Sequence, residues 1–308
     1  MKSTTLQPLY ADMELYKERH HYFYTKTNSR EAIQVWTEKN VKLKVVNMLS
    51  KNLTNIIRME RPLRVLGVGS SEGDLEIQQL KKLLIEFSKL DACVCEPDKE
   101  MISHYRDTVN RRESVTSSVA FEWQNLTFQE YLKNVGKEKK YHFISLVHVI
   151  YFIGDPEEAI KNLYKMLEEG GMILLIVVTG DNGTLGSVPL SMHNSTAATS
   201  EEASITNYKT DSRQIKAILE KLEIAYTQST LTEWIDVTLL VTDQVVMREA
   251  SLLLDFLTLT INFKKTAPDD VFDQVIKYFK DNARAQREQD GREKFYLTNK
   301  CTVFLITK

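Results

Sequence analysis

Apolar positions along this chain recur in two rhythms. Short unbroken runs, Leu63 to Val68, Ala92 to Glu96, Val119 to Trp123, Tyr141 to Val147 and Met172 to Val178, read as strands buried on both faces. Between them, 75–90, 99–109 and 155–167 carry three- and four-residue spacing, so each predicts an amphipathic helix. Asp155 and Pro156 suit the cap and first position of the last of these, and Gly170-Gly171 is expected to end it. Strand and helix alternating at such lengths demand a parallel sheet covered on both faces. Residues 8 to about 56 precede the sheet and look helical. Tyr10, Met13, Tyr16, His20 and Phe23 share an aromatic face, and a break at Thr25 to Ser29 lets Asn28 or Ser29 cap a second helix from Arg30. After Thr179 the rhythm fails: 180–207 reads as a long Gly-, Ser- and Thr-rich loop. A helix at 211–222, a strand near 224–228, an apolar stretch at 234–259 and a helix at 269–280 follow. A last strand, 294–307, is expected to close the sheet antiparallel by a hairpin-like return.

The first strand runs straight into a turn with Gly67, Gly69, Ser70 and Gly73. Glycine is needed where a backbone bends sharply or passes close to a ligand, and the following helix offers unpaired N–H groups there. The spacing has one residue more before its last glycine than the dinucleotide fingerprint. That looser turn suits S-adenosylmethionine, which has no pyrophosphate to seat. Some 20 residues on, the second strand ends in Glu96, followed by Pro97. A carboxylate at that strand end can accept both hydroxyls of a ribose. Chemistry is then expected where the fourth strand ends, at Val147 to Phe152, with His148 as a polar contact or proton acceptor, since histidine titrates near neutral pH. Tyr151 and Phe152 would wall the pocket or pack the core.

Composition narrows the setting. In 308 residues, 43% hydrophobic and 27% charged with a net charge of −2, no general electrostatic attraction to nucleic acid or anionic membrane is expected. Cys93, Cys95 and Cys301 have no disulfide-framework or zinc-ligand spacing, so a reduced, cytoplasmic, metal-free protein is expected. No apolar run of about 18 residues and no secretory h-region are seen.

The glycine turn, Cys95-Glu96-Pro97, Ile150-Tyr151, the run from Asp255 to Pro268 and Asn299 together resemble the histamine N-methyltransferases along nearly the full chain. The resemblance implies a class I methyltransferase fold: a Rossmann-like, doubly wound, mostly parallel seven-stranded α/β sheet with an antiparallel last strand, plus a smaller helical substrate-binding portion. It divides the chain into an N-terminal helical lid (1–57), an S-adenosylmethionine-binding core (58–179), a substrate-binding insertion (180–262) and a C-terminal helix with the closing strand (263–308). It implies a monomer that methylates a small amine and releases S-adenosylhomocysteine. The matching positions assign Gly69, Ser70 and Glu96 to the cofactor and place Met101, Phe128 and Val147 near it. Asn299 matches the asparagine that contacts the substrate nitrogen, and the aromatic face that carries Tyr16 and Phe23 either packs on the core or closes as a lid over the acceptor.

Three departures point away from histamine itself. Ser29 stands where the family has a glutamate that holds the acceptor, His148 where it has a glutamine, and 183–188 lacks the expected tryptophans. Losing a carboxylate and indoles removes a cation's partner and its stacking surface. The alternatives are a methyltransferase acting on a hydroxyl, thiol or carboxylate, and a cofactor-binding homologue without turnover.

Overall fold

The computed structural model describes residues 6–111, 117–180, 210–242 and 247–308, the side chain of Tyr10 excepted. The expected long loop therefore lies outside the described residues. In chain order the elements used below are α1 (Met13–Thr25), α2 (Ser29–Asn40), β1 (Leu63–Val68), α3 (Asp74–Leu83), β2 (Leu90–Cys95), α4 (Lys99–Asn110), β3 (Val119–Gln124), α5 (Phe128–Asn134), β4 (Tyr141–Val147), α6 (Pro156–Met166), β5 (Leu167–Val178), α7 (Ser212–Lys221), β6 (Tyr226–Asp236), α8 (Arg248–Thr258), α9 (Asp269–Asn282), β7 (Arg284–Arg287) and β8 (Glu293–Thr307).

Seven strands run in the order β3-β2-β1-β4-β5-β8-β6, and β7 pairs with β8 off this path. The pairs β1 with β2, β1 with β4, β2 with β3 and β4 with β5 are parallel. Strand β8 opposes β5: Gly170 N–H donates to the Lys308 carbonyl at one end and Thr179 N–H to Lys300 at the other, both at 2.9 Å. The antiparallel closure is as expected, but its route is not a hairpin. Helices and β7 occupy the chain between β6 and β8, and the tight return is the one from β7 to β8. A second correction concerns Gly170-Gly171. The preceding helix ends already at Met166, and the two glycines form an irregularity at the start of β5, where Tyr141 pairs with Leu167 but Phe143 with Met172. A Cβ on Gly171 would lie 2.9 Å from the His142 carbonyl oxygen, so the sheet backbone itself excludes a side chain there.

The chain forms two compact units. The sheet unit comprises 33–177, 207–231 and 302–308, and it includes residues 33–57 of the N-terminal segment. Strand β4 is buried along nearly its whole length, which a two-sided parallel sheet requires. Asp98 and Asp155 accept backbone N–H bonds at the starts of α4 and α6, and Thr127 with Glu130 forms a capping box on α5. The helical unit comprises 1–32, 178–206 and 232–301. Its core joins Phe23, Ile235, Leu253, Leu257, Phe263 and Phe279, and Phe23 stacks on Phe256 with centroids 4.5 Å apart. Asn28, a candidate cap from sequence, instead accepts the Trp234 N–H at 2.5 Å. No helix among the described residues is long and apolar enough to cross a membrane.

Candidate functional site

In the sheet unit, β1 opens into the turn from Gly69 to Gly73. Gly69 has φ +64°, and a Cβ there would lie 2.0 Å from Val149 Cγ2, so neither conformation nor space admits a side chain. Its N–H donates to the Cys95 carbonyl at 2.8 Å, tying the turn to the end of β2. Two other glycines answer to packing within the unit. A Cβ on Gly67 would meet the Glu76 carboxylate at 1.9 Å, and one on Gly73 the Tyr105 ring at 2.2 Å.

Glu96 follows β2 and is buried. Its Oε2 accepts the Ser71 N–H at 2.9 Å and its Oε1 the Asp98 N–H at 3.0 Å, while Asn125 Nδ2 donates to the Glu96 and Pro97 carbonyls at 3.1 and 2.8 Å. The carboxylate is thus turned into the glycine turn and pinned by backbone donors. Each carboxylate oxygen accepts two hydrogen bonds, so a group held this way can also take ribose hydroxyls. Met101 lies against the turn, with the Ser71 hydroxyl 3.6 Å from its Sδ. Phe128 is buried at the first position of α5, and Val147 is half-buried at the end of β4. A bare turn, a pinned acid and apolar neighbours fit an adenosyl cofactor.

Beneath the turn lies a residue that sequence reading missed. Glu76 on α3 is buried, and Ser70 donates its hydroxyl to it. Burial pushes its pKa from 4.5 up to about 7, with a smaller push from Glu96, against the pull of the Ser70 hydroxyl. The folded state therefore favours the protonated form. The stability this gives is complete below the ordinary pKa and is lost as pH rises from 4.5 through about 7. Glu76→Gln is expected to flatten that slope and to be more stable than wild type at pH 8 by roughly 2–3 kcal/mol. Urea midpoints at pH 5 and pH 8 check this; parallel pH profiles for the two proteins would overturn it.

His148 follows β4 in a left-handed conformation, φ 55°, which is costly for a non-glycine residue. Its N–H continues the sheet by donating to the Ile176 carbonyl at 3.0 Å, and its Nδ1 lies 3.3 Å from the Tyr151 hydroxyl. The imidazole is thereby oriented at the strand's carboxyl end. Phe152 is half-buried, with its ring edge-on to Tyr151 at 6.2 Å.

In the helical unit, Ser29 and Asn299 meet through a residue not anticipated. Ser29 Oγ donates to Glu233 Oε1 at 2.7 Å, and Asn299 Nδ2 donates to Glu233 Oε2 at 2.9 Å. All three side chains are buried, Glu233 to 2% exposure and Asn299 to 1%. Burial, and then the Glu233 carboxylate, hold the Cys301 thiol well above its usual pKa; the same two causes, in that order, push the Tyr24 hydroxyl up to about 12. A signal for Glu233 was present in the alternation of β6: Leu231, Glu233 and Ile235 occupy its buried face, two apolar residues flanking an acid. Tyr16 and Phe23, expected against the core or over the acceptor, pack in this unit. Phe23 is in its core, and Tyr16 lies beside Phe256 at 5.8 Å between centroids.

A family model described as a methyltransferase domain matches residues 40–225. The chain is 26% identical over 289 residues to histamine N-methyltransferase of Danio rerio, covering 92% of this chain and 93% of that one. It is 25% identical over 281 residues to the enzyme of that name from Mus musculus, covering 89% and 90%. Among solved structures, the YcgJ protein of Bacillus subtilis aligns with a TM-score of 0.46 at 14% identity, covering 85% of this chain and 98% of that one. The glycine turn and its pinned acid thus lie within the matched region, and the chain belongs to the methyltransferase-domain family as an S-adenosylmethionine-dependent methyltransferase.

Proposed function

We propose that this enzyme methylates the nitrogen of a small amine or imidazole-type metabolite, with an acceptor pocket altered from that of the histamine N-methyltransferases. One observation carries the reading. Asn299 Oδ1 is buried and has no hydrogen-bond partner among the described residues, while the Nδ2 of the same amide is engaged by Glu233. A buried acceptor left unmade costs about 1–3 kcal/mol, and an N–H brought by a ligand makes good that loss. Near-full-length similarity to proteins named histamine N-methyltransferase supports an amine acceptor. Ser29 and His148, where the family has glutamate and glutamine, support one other than histamine.

S-adenosylmethionine, when bound, supplies a methyl group already activated by its sulfonium. The chain's own part is positioning and proton handling. Gly69, Ser70 and Glu96 hold the cofactor, with Met101, Phe128 and Val147 as its apolar neighbours. Asn299 orients the acceptor through its Oδ1, and fixing the encounter in this way lowers barriers by several kcal/mol, about 7 in well-oriented cases. A protonated amine has no lone pair to donate, and a buried site favours the neutral form. His148, oriented by Tyr151, accepts the proton released on methylation.

The test is methyl transfer to histamine, phenethylamine and tryptamine against phenols of matched size. Amines are expected to react, His148→Ala to lower kcat by roughly 100-fold and Asn299→Ala to raise KM by about tenfold, both with unchanged S-adenosylhomocysteine affinity. Methylation of phenols without amines would overturn the reading.

A further inference from the structure

Glu233 is buried, and its two oxygens are taken up by different partners: Oε1 by the Ser29 hydroxyl and Oε2 by Asn299 Nδ2. A carboxylate only accepts hydrogen bonds, so an amide facing it must present its nitrogen. The Asn299 amide has two polar ends, and this contact decides which one remains for anything else. The end that remains is Oδ1, an acceptor with no partner among the described residues. We propose that Glu233 is a specificity-determining positioning residue: by holding the nitrogen of the Asn299 amide and leaving its oxygen unpaired, it makes the acceptor site select ligands that bring an N–H and reject those that can only accept.

The inference rests on the small-amine reading above and adds to it a cause. Ser29 has a defined part in it, since its hydroxyl can donate to Glu233 Oε1 and leaves the carboxylate with Oε2 toward the amide. Cys301 lies beside the pair, its Sγ 3.8 Å from Asn299 Nδ2, and as a thiol it can donate or accept, so the carboxylate alone sets the orientation of the amide.

The experiment is calorimetry on the full chain saturated with S-adenosylhomocysteine, using phenethylamine as the N–H probe and 2-phenylethyl methyl ether as the acceptor-only probe. Wild type is expected to bind the amine at least tenfold more tightly than the ether. In Glu233→Gln the amide can turn over, because glutamine both donates and accepts. The preference should then narrow to within about threefold, with the ether binding more tightly than to wild type. Glu233→Asp, still acceptor-only, should keep the amine preference. S-adenosylhomocysteine affinity reports that each variant is folded; should the glutamine variant not fold, Glu233→Ser, which can likewise donate, takes its place with the same outcomes. A wild type with no amine preference would overturn the small-amine reading and this inference together. A wild-type preference that persists unchanged in the glutamine or serine variant would overturn the role of Glu233 alone, as would its loss in Glu233→Asp.

Discussion

Glu96→Ala is expected to weaken S-adenosylhomocysteine binding by roughly 100-fold, a loss of about 3 kcal/mol. Two effects add. The variant loses the acceptor proposed for the ribose hydroxyls, and it releases the Ser71 and Asp98 N–H groups, which Glu96 now engages at 2.9 and 3.0 Å. The first is a direct contact; the second loosens the turn that presents the backbone. Glu96→Gln should recover little, because an amide placed between two backbone donors can accept from only one and turns a donor toward the other. Titration calorimetry decides the matter, and an affinity within threefold of wild type in the alanine variant would sink the assignment of this acid to the cofactor.

The largest loss of stability is expected at Asp255→Ala, roughly 3–5 kcal/mol, with a melting temperature lower by about 10 °C. Asp255 is 2% exposed near the end of α8. Its Oδ1 accepts the Phe263 N–H at 2.8 Å, its Oδ2 accepts the Asn262 N–H at 3.1 Å, and Arg19 Nε lies 3.5 Å from Oδ2. Leu259 and Asn262 both have positive φ, 49° and 52°, so the chain leaves α8 through two conformations that cost energy without support. Removing the carboxylate leaves a buried guanidinium without this partner and two backbone donors unmatched. Asp255→Asn should cost about half as much, since its one remaining oxygen can still serve one amide. Calorimetric melting separates these outcomes; an alanine variant that melts within 2–3 °C of wild type would show that the turn holds itself.

The run from Asp255 to Pro268 closes α8 and turns the chain. It is a helix end and a tight turn organised around one acid. Aspartate, a left-handed asparagine and a buried Phe263 are each demanded by the fold of that turn.

The sequence by itself determined the alternation of strands and helices, the glycine turn at the end of β1 and the acid at the end of β2. Those features are local: apolar period, cap chemistry and the stereochemistry of glycine act between residues adjacent in the chain or one turn apart. Only the tertiary structure decided that Glu76 fills the space beside Gly67, that Gly170-Gly171 opens a strand instead of closing a helix, and that Ser29 and Asn299 share Glu233. Read along the chain, Ser29 is a carboxylate lost; in space it is the hydroxyl that holds one. Glu233 lies 204 residues from Ser29 and 66 from Asn299: the alternation of β6 marks it as a buried acid, but which side chains meet it is set by contacts that act across space and not along the chain.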